Sequence, residues 1–350
     1  MNAYKKTPKW FLVLPPQGAA RSVFQSLVVE FSDLVGKMNC VLFDCQSAEQ
    51  FLGSSLAHPL TSHPDLHTDF LNHLLVVQAL DQECTHLLAG ALAPISLFSL
   101  KLLQKYGVHN SLWFYEDYQR VGYYQEVLQG YNNFFAIQQG KLPQECLYQG
   151  TNYHYLPVAT QLASPTPSLN FSHQARTIPC LFLGVPSPYR IEVLEYIYQA
   201  GIPIKIAGAG WASYQGILKN QILLDVWTPP DRAQYLFEQS LACLNLSYNN
   251  PGTQRSLPQT SPRAFDALAA GCELITEETE LIFSDLKNMD FFTFTEKEQL
   301  PNLIKQSIAN FDLRETQHLK NRKEIFEGHT YRHRALSILN KITPPANFYP

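Results

Sequence analysis

The sequence predicts an α/β fold with two doubly wound domains, each built on a parallel sheet that helices cover on both faces. Three observations lead to this prediction. Short apolar runs alternate with helical patterns along the chain. The chain has 350 residues, more than one ordinary hydrophobic core accommodates. A segment rich in Ser and Pro and without hydrophobic period, residues 161–176, interrupts the alternation as a connection between domains does.

The predicted domain division follows from that segment. Residues 1–160 form the first domain and residues 177–339 the second, with 161–176 as the linker and 340–350 as a short tail. Each domain then has the size of an ordinary globular domain.

The composition excludes several classes of protein. Hydrophobic residues make up 45% of the chain and charged residues 16%, as in globular rather than disordered proteins. Lys and Arg number 26 against 30 Asp and Glu, so the net charge of −4 gives no general attraction to nucleic acid. An anionic ligand must therefore be bound by local groups.

The cysteines and the first apolar run indicate in which cellular compartment the protein is expected. The seven cysteines are scattered and contain no CxxC pair, which argues against a zinc site and favours a reducing compartment. Residues 10–14 are too few for a signal sequence or a membrane span. We expect a cytoplasmic protein without a transmembrane segment, and peripheral membrane contact stays open.

The first domain contains five or six predicted β-α units. Apolar runs predict strands at residues 10–14, 40–43, 85–88, 111–115, 134–138 and 153–159. Helical spacing predicts helices after the first strand and at residues 95–106 and 141–148. The turn after the first strand lacks the full GxGxxG pattern of dinucleotide-binding folds.

Three histidines lie in a segment without clear period, residues 47–69. His58, His63 and His67 have a spacing that invites a metal interpretation. Pro59 and Pro64 argue against one helical face, so we do not predict a metal site.

Two acidic residues, Glu116 and Asp117, follow the predicted strand at 111–115. Ligands of open α/β sheets bind beyond the carboxyl ends of strands, which makes both residues candidates for a site. Acidic residues are also favoured at helix N-termini, so local chemistry alone leaves both interpretations open.

The second domain repeats the alternation of strands and helices. Predicted strands lie at residues 178–183, 203–207, 223–226, 242–246, 272–276 and 291–294. The first of them breaks at Gly184, and Arg190 lies in the opening turn of the helix that follows. Further helices are predicted at residues 230–240 and 300–311 and directly before the strand at 272–276.

The stretch 261–276 carries the strongest local signal. Ser261 suits the N-cap of a short buried helix, Pro262 its first position and Gly271 a left-handed C-cap. Arg263 in the first turn opposes the helix dipole, and Asp266 follows one turn later. A helix start with a guanidinium group suits a diphosphate, and a carboxylate one turn on suits a ribose diol. Alternatively, the two side chains pair with each other in a structural helix.

The chain resembles a known family over most of residues 110–335. The stretch 261–276, with residues 329–334 about sixty positions later, closely resembles the C-terminal domain of GT-B glycosyltransferases of the spore-maturation CgeB-like group. Residues 208–211 and 244–245 are similar to strand ends of that domain. Pieces of the group's N-terminal domain are similar to residues 113–117, 137–138 and 155–159.

The resemblance implies two Rossmann-like domains that face each other across a cleft, and sugar transfer from a nucleotide diphosphate donor to an acceptor. Arg263 and the N–H groups after Ser261 would neutralise the diphosphate, and Asp266 would bind the ribose, although the family's usual residue there is Glu. The donor-binding residues implied are Gly184, Arg190, Gly210, Trp211, Asn245, Ser261, Arg263 and Asp266.

The predicted chemistry needs neither metal nor cofactor. Fixed cations and a helix dipole can stabilise a departing diphosphate, and the sequence lacks the Asp-x-Asp triplet that holds a metal in the other large transferase fold. Arg263 would stabilise the leaving group. An inverting enzyme would need a base in the first domain, for which Asp117 and Glu116 are the candidates; a retaining enzyme can proceed without one, and the sequence leaves both courses open.

Two alternatives keep the fold and change the function. One is a nucleotide-sugar epimerase or hydrolase of the same shape. The other is a non-catalytic scaffold that binds nucleotide, glycan or protein. The sequence leaves open the sugar, the base and the acceptor, which can be a glycan, a lipid-linked glycan or a protein.

Overall fold

A computed structural model describes residues 7–55, 64–162, 172–249 and 258–342. The chain forms two compact units. Unit 1 runs to Pro157 and resumes at Arg332, and unit 2 comprises Val158–Tyr331. The sequence-based division kept residues 177–339 together, whereas in the structure the residues from Arg332 onward belong to unit 1.

Unit 1 contains a parallel sheet of six strands. In chain order they are β1 (Trp10–Leu14), β2 (Cys40–Asp44), β3 (His86–Gly90), β4 (His109–Phe114), β5 (Asn133–Ala136) and β6 (Asn152–Tyr155). Their order across the sheet is β2-β1-β3-β4-β5-β6. All five residues of β1 are buried, as expected for an inner strand of a sheet covered on both faces.

Helices connect the strands of unit 1. They are α1 (Gly18–Val35), α2 (Cys45–Ser55), α3 (Pro64–Asp81), α4 (Leu97–Lys105), α5 (Tyr124–Val127) and α6 (Leu142–Tyr148). Helix α1 buries Val23, Phe24, Leu27 and Phe31, which recur at helical spacing. The last helix of the chain, α13 (Tyr331–Ile342), lies with this unit from Arg332 onward.

Unit 2 contains a second parallel sheet of six strands. They are β7 (Ile178–Leu183), β8 (Lys205–Ala207), β9 (Ile222–Leu224), β10 (Ser240–Asn245), β11 (Glu273–Glu277) and β12 (Phe292–Phe294). Their order is β12-β11-β10-β7-β8-β9. The helices are α7 (Pro188–Gln199), α8 (Pro230–Glu238), α9 (Pro262–Ala269), α10 (Glu280–Asp285), α11 (Leu300–Ala309) and α12 (Glu315–Gly328).

The observed elements confirm the predicted α/β fold class. In one segment, residues 47–69, the structure contains helices that the sequence analysis did not predict. Helices α2 and α3 occupy most of the segment 47–69, where the sequence shows no clear period. Helix α3 exposes Leu66, Phe70 and Val77, so its apolar residues do not mark one buried face. Of the three histidines, His67 lies in α3, while His58 and His63 lie outside the described residues.

Each sheet has a position where the direction of strand addition reverses. In unit 1 it lies between β1 and β3, and in unit 2 between β7 and β10. Open α/β sheets bind ligands beyond the carboxyl ends of the two strands at this position. A ligand site of unit 2 is therefore expected at the carboxyl ends of β7 and β10. In the part of the chain that the structure describes, no helix is both long and apolar enough to cross a bilayer.

Candidate functional site

The predicted helix start lies at the reversal position of unit 2. Helix α9 begins after Ser261 and ends before Gly271, which has a positive φ of 68°. The N–H of Gly271 bonds to Leu268 O and that of Cys272 to Ala267 O, the pair of bonds of a Schellman C-cap. The predicted C-cap is confirmed.

The predicted hydrogen bond of the N-cap is wrong. Ser261 has extended backbone, as an N-cap residue does, but its side chain accepts no N–H from the first turn. Its hydroxyl donates instead to Asn245 Oδ1 at 2.7 Å. The Ser261 side chain therefore ties α9 to the end of β10, while the first-turn N–H of Ala264 donates to the main-chain oxygen of Ser261 at 3.1 Å.

Arg263 joins the two strands at the reversal position. Its Nε donates to Leu183 O at the end of β7 at 2.5 Å, and Nη1 donates to Asn245 Oδ1 at 2.9 Å and Leu246 O at 3.3 Å. The guanidinium lies over the Phe182 ring, 5.1 Å from its centroid. Burial lowers the pKa of Arg263, and the group forms no ion pair with any described residue. The predicted alternative of an Arg263–Asp266 pair is therefore not observed.

Arg190 lies beside Arg263 and contacts the same strands. It is 7% exposed, and its Nη1, Nη2 and Nε donate to the main-chain oxygens of Val185 at 2.9 Å, Leu246 at 2.9 Å and Ser247 at 3.0 Å. Its guanidinium also lies 5.4 Å from the centroid of the Phe182 ring. One buried and one partly buried cation thus meet around one aromatic ring at the carboxyl ends of β7 and β10.

Glycines allow the loops after β7 and β8 to approach each other and the arginines. A Cβ at Gly184 would lie 3.2 Å from Arg263 Nη2 and 3.4 Å from Arg190 Nη1. A Cβ at Gly208, where φ is +137°, would lie 2.5 Å from the Gly184 oxygen. Gly208 requires glycine because backbone atoms occupy the space of a side chain, and at Gly184 a side chain would press on both guanidinium groups.

The aromatic side chain of the turn at residues 208–211, that of Trp211, is buried within unit 2. Trp211 is 1% exposed, and its Nε1 donates to Gly184 O at 2.8 Å. Its main-chain N donates to Asp225 Oδ1 at 2.5 Å. Gly210, with a φ of +95°, brings the turn against Pro186. The predicted contact of this turn with a base stays a prediction, and the indole itself packs inward.

Asp266 is buried and bonded to a distant segment. Its Oδ1 accepts hydrogen bonds from Thr160 Oγ1 and Gln161 N, both at 2.8 Å. Thr160 in turn pairs with Thr330 in a short parallel bridge. Burial raises the pKa of Asp266 to about 7. The predicted ribose contact stays a prediction, and one carboxylate oxygen already has protein partners.

Three polar side chains near these strand ends, those of Ser187, Glu277 and Asp225, were not predicted. Ser187 caps α7, accepting Arg190 N at 3.3 Å, and donates to Tyr248 O at 2.5 Å. Glu277, at the end of β11, accepts from Ser247. Asp225 holds the N–H of Trp211. The sequence could have indicated Glu277 by the feature that indicated Glu116, because both are acidic residues at the carboxyl end of a predicted strand.

The predicted acids of unit 1 follow β4. Asp117 Oδ1 accepts the N–H of Gln119 at 2.9 Å, the bond by which Asp side chains stabilise a local turn. Burial raises the pKa of Glu116, and the nearby Arg120 opposes that shift. Strand β4 lies between β3 and β5, so both acids lie one strand from the reversal position between β1 and β3.

No described residues form a metal site. In residues 7–55, 64–162, 172–249 and 258–342, no group of three or more His, Cys, Asp or Glu side chains is placed to hold a metal ion. The cations of the site described above are guanidinium groups of the chain itself.

The chain is similar to glycosyltransferases. Residues 190–340 match a family model described as glycosyl transferase-like, which is less than half of the chain. A comparison with curated proteins gives no match. Among solved structures, sucrose-phosphate synthase from Thermosynechococcus elongatus superimposes with a TM-score of 0.60 at 12% identity, over 95% of this chain and 97% of that chain.

Two further structures extend this likeness. Anabaena HepE in complex with UDP-glucose gives a TM-score of 0.60 at 12% identity, over 95% of this chain and 98% of that one. A structure described as "Trehalose-6-phosphate from E. coli bound with UDP-2-fluoro glucose" gives 0.59 at 12% identity, over 95% and 98%. At this identity the likeness establishes the fold, which is that of GT-B glycosyltransferases. With the family match, it supports a glycosyltransferase.

Proposed function

We propose that this protein transfers a sugar from a nucleotide diphosphate sugar to an acceptor, and that unit 2 binds the donor at the ends of β7 and β10. The observation that carries the proposal is the partly buried Arg263. Its hydrogen-bond partners among the described residues are carbonyl and amide oxygens, so no carboxylate hydrogen-bonded to it cancels its positive charge. A cation held in this way is stabilised by an anionic ligand.

The surroundings suit a diphosphate in particular. Helix α9 begins beside Arg263, the Ser261 side chain accepts none of its N–H groups, and helix starts bind phosphate oxygens. Gly184 keeps side-chain atoms away from both guanidinium groups. Two of the structures with a similar fold are complexes with UDP-glucose and with UDP-2-fluoro glucose, which supports a nucleotide sugar.

In the proposed reaction, the bond between the anomeric carbon and the diphosphate oxygen breaks, and a bond to an acceptor hydroxyl oxygen forms. Arg263 and the dipole of α9 stabilise the negative charge that collects on the leaving diphosphate, without metal or cofactor. Asp117 or Glu116 takes the acceptor proton if the configuration inverts. The membership in the CgeB-like group, a hexosyl donor, and a glycan, lipid-linked glycan or protein acceptor remain our predictions.

The test is a thermal-shift panel of UDP-, GDP-, ADP- and dTDP-sugars on the full chain. A donor present at a hundred times its Kd stabilises the folded state by about 2.7 kcal/mol. We expect one base to give this shift, and Arg263→Gln to abolish it. Arg232→Gln is the matched control, since Arg232 is an exposed arginine of the same unit. A panel without any shift would contradict the proposed function.

A further inference from the structure

A groove on unit 1 is separate from the donor site proposed for unit 2. Helix α5, the residues directly after it and helix α6 line this groove, which has a volume of about 430 Å³. One lining residue, Leu128, is a buried apolar side chain. The others are polar: Gln125, Lys141, Gln144, Glu145, Tyr148 and Gln149. Sites for small ligands have volumes of about 300 to 1,000 Å³, so the groove is large enough to hold a ligand.

Most of the polar lining residues share one face of α6. They are three or four positions apart along the helix, and residues with this spacing lie on the same side. They are residues 141, 144, 145, 148 and 149. The opposite side of the helix buries Leu142 and Cys146. From Lys141 to Gln149 the helix rises by ~12 Å, so the polar face can contact more than one unit of a chain-like ligand.

The two charged residues that line the groove pair with each other. Lys141 Nζ lies 2.8 Å from Glu145 Oε1, and the Tyr124 hydroxyl donates to Glu145 Oε2 at 2.7 Å. Gln125 Nε2 also donates to Glu145 Oε1, at 3.4 Å. The lining therefore has no net charge, and the charge of Lys141 is already compensated. A neutral ligand suits this groove better than an anion does.

Three polar side chains of the groove are available to a ligand. Among the described residues, the side chains of Gln144, Tyr148 and Gln149 have no hydrogen-bond or ion-pair partner. All three are exposed, and Tyr148 is 87% exposed. An amide group both donates and accepts hydrogen bonds, and a Tyr side chain combines an apolar ring with a polar hydroxyl.

These groups complement a sugar chain better than they complement a peptide. A sugar ring carries hydroxyl groups that donate and accept hydrogen bonds, and a less polar C–H face that packs on an aromatic ring. Peptides are recognised by exposed sheet edges, apolar grooves, aromatic grooves that bind proline, or clusters of Arg. The lining contains helices and loops, one aromatic residue, one buried aliphatic residue and no Arg. An oligosaccharide is therefore the favoured ligand.

One end of the groove adjoins the loop that carries the predicted acids of unit 1. Lys141 N donates to the Tyr118 hydroxyl at 3.3 Å, and Lys141 Nζ lies 5.5 Å from the centroid of the Tyr118 ring. Tyr118 directly follows Glu116 and Asp117, the candidates for the base. A sugar chain along α6 would therefore have one end near these carboxylates and the other at Tyr148.

We propose that the groove along α6 binds a neutral oligosaccharide, the sugar chain of the acceptor. A sugar ring packs on Tyr148, and Gln144 and Gln149 form hydrogen bonds to hydroxyl groups of the chain. The inference rests on the proposed function, because it names the class of acceptor for that reaction.

The experiment begins with the full chain on an array of immobilised oligosaccharides. The array carries neutral oligomers of glucose, galactose, mannose and N-acetylglucosamine beside acidic chains that contain uronic or sialic acid. The neutral chain that binds most strongly is then titrated in free form by calorimetry. We expect Tyr148→Ala to weaken its binding about tenfold or more, because the variant removes the stacking surface. Gln144→Ala should weaken it by about three- to tenfold.

Two exposed residues of unit 1 outside the groove provide matched controls. Tyr106→Ala removes another exposed tyrosine, which is 62% exposed and follows α4. Leu147→Ala changes the exposed neighbour of Tyr148 on α6, which does not line the groove. Both controls should bind the oligosaccharide as wild type does. Thermal unfolding of all four variants checks that each one folds.

Transfer assays with the donor selected in the panel above connect the groove to the reaction. Tyr148→Ala should raise the KM of the chosen oligosaccharide about tenfold, with a smaller change in kcat, because Tyr148 lies at the opposite end of the groove from Asp117. An unchanged KM would overturn the assignment of the groove to the acceptor.

The outcomes separate the inference from the proposed function. A chain that binds its donor but no neutral oligosaccharide, or that binds acidic chains alone, overturns the inference alone. Equal affinities of wild type, Tyr148→Ala and Gln144→Ala do the same. So does a change in oligomeric state of Tyr148→Ala in light scattering without oligosaccharide binding, which would make the groove an interface between copies. A chain that binds an oligosaccharide through the groove but no nucleotide sugar overturns the proposed function and the acceptor role, and the groove is then a sugar-binding site only.

Discussion

The two units use the same topology and differ in how each compensates the arginine at its sheet edge. In unit 1, Arg21 forms a bidentate pair with Asp44 at the end of β2, with distances of 2.6 and 2.7 Å. In unit 2, Arg263 bonds to Leu183 O, Asn245 Oδ1 and Leu246 O. A carboxylate hydrogen-bonds to the first guanidinium, whereas the second donates to main-chain and amide oxygens, and Glu277 and Asp266 act on its charge without a hydrogen bond to it.

The space at the two reversal positions differs as well. At the end of β3 in unit 1, a Cβ at Gly90 would lie 2.7 Å from both Phe24 Cγ and the Tyr115 hydroxyl, so aromatic side chains fill the position. In unit 2, a Cβ at Gly184 would lie 3.1 Å from Phe182 Cζ and 3.2 Å from Arg263 Nη2, so a cation joins the aromatic ring there. The two units therefore share a topology and differ in the charge compensation at these strand ends. Four tests follow, and the first two have the largest expected effects.

Gly208→Ala tests the close approach of loops in unit 2. The new Cβ would lie 2.5 Å from the Gly184 oxygen, in a backbone conformation that side chains rarely adopt. We expect a loss of about 3 to 5 kcal/mol in the free energy of unfolding, measured with urea. The control is Gly18→Ala in unit 1, where φ is +70° and nothing lies within 4 Å, with an expected loss of about 1 kcal/mol. Equal losses would show that the approach of the loops is not tight.

Asp266→Asn tests the buried acid of unit 2. Because burial raises the pKa of Asp266 from 3.8 to about 7, the native state binds the proton more tightly than the unfolded state. This contribution to stability is complete below pH 4 and is lost as pH rises through 7. Wild type should lose about 2 to 4 kcal/mol between pH 4 and 8 relative to Asp266→Asn. Parallel urea curves at all pH values for the two proteins would contradict the assignment.

Asp44→Asn tests the carboxylate of unit 1 that pairs with Arg21. Here the dependence of stability on pH has the opposite sign to that of Asp266. The hydrogen bond from Arg21 lowers the pKa of Asp44 to about 2, so its contribution is present above pH 4 and is lost as pH falls through 2. The pair is partly exposed, and we expect about 1 kcal/mol of stabilisation at neutral pH. Acid unfolding of wild type and Asp44→Asn measures it. Curves that diverge as pH falls below 4 would contradict the prediction.

Ser261→Ala and Ser187→Ala compare two helix starts within unit 2. The Ser187 side chain accepts Arg190 N and caps α7, so its loss should cost about 1 to 2 kcal/mol of stability. The Ser261 side chain makes no cap bond, and its removal should cost less than about 1 kcal/mol, because Asn245 Oδ1 keeps its bond to Arg263. Thermal unfolding of both variants is the measurement. A larger cost at Ser261 would reverse the comparison.

Local patterns predicted most of the elements. Continuous apolar runs fit strands buried on both faces, and the helix at 262–269 ends at Gly271 as predicted, because only glycine adopts its positive φ without cost. The helices within residues 47–69 were not predicted because the apolar residues of α3 do not lie on one buried face. The Ser261 cap failed because Asn245, which is distant in sequence, competes for the hydroxyl.

The sequence by itself determined the alternation of strands and helices, the parallel sheets and the bounds of α9, since these depend on neighbouring residues. Only the tertiary structure decided the partner of each polar group. Asp266 bonds to Thr160, 106 positions away, and Glu277 to Ser247, 30 positions away. Such partners meet when strands and helices pack, and burial then makes each hydrogen bond or its absence costly. The charges were visible in the sequence, but their compensation was not.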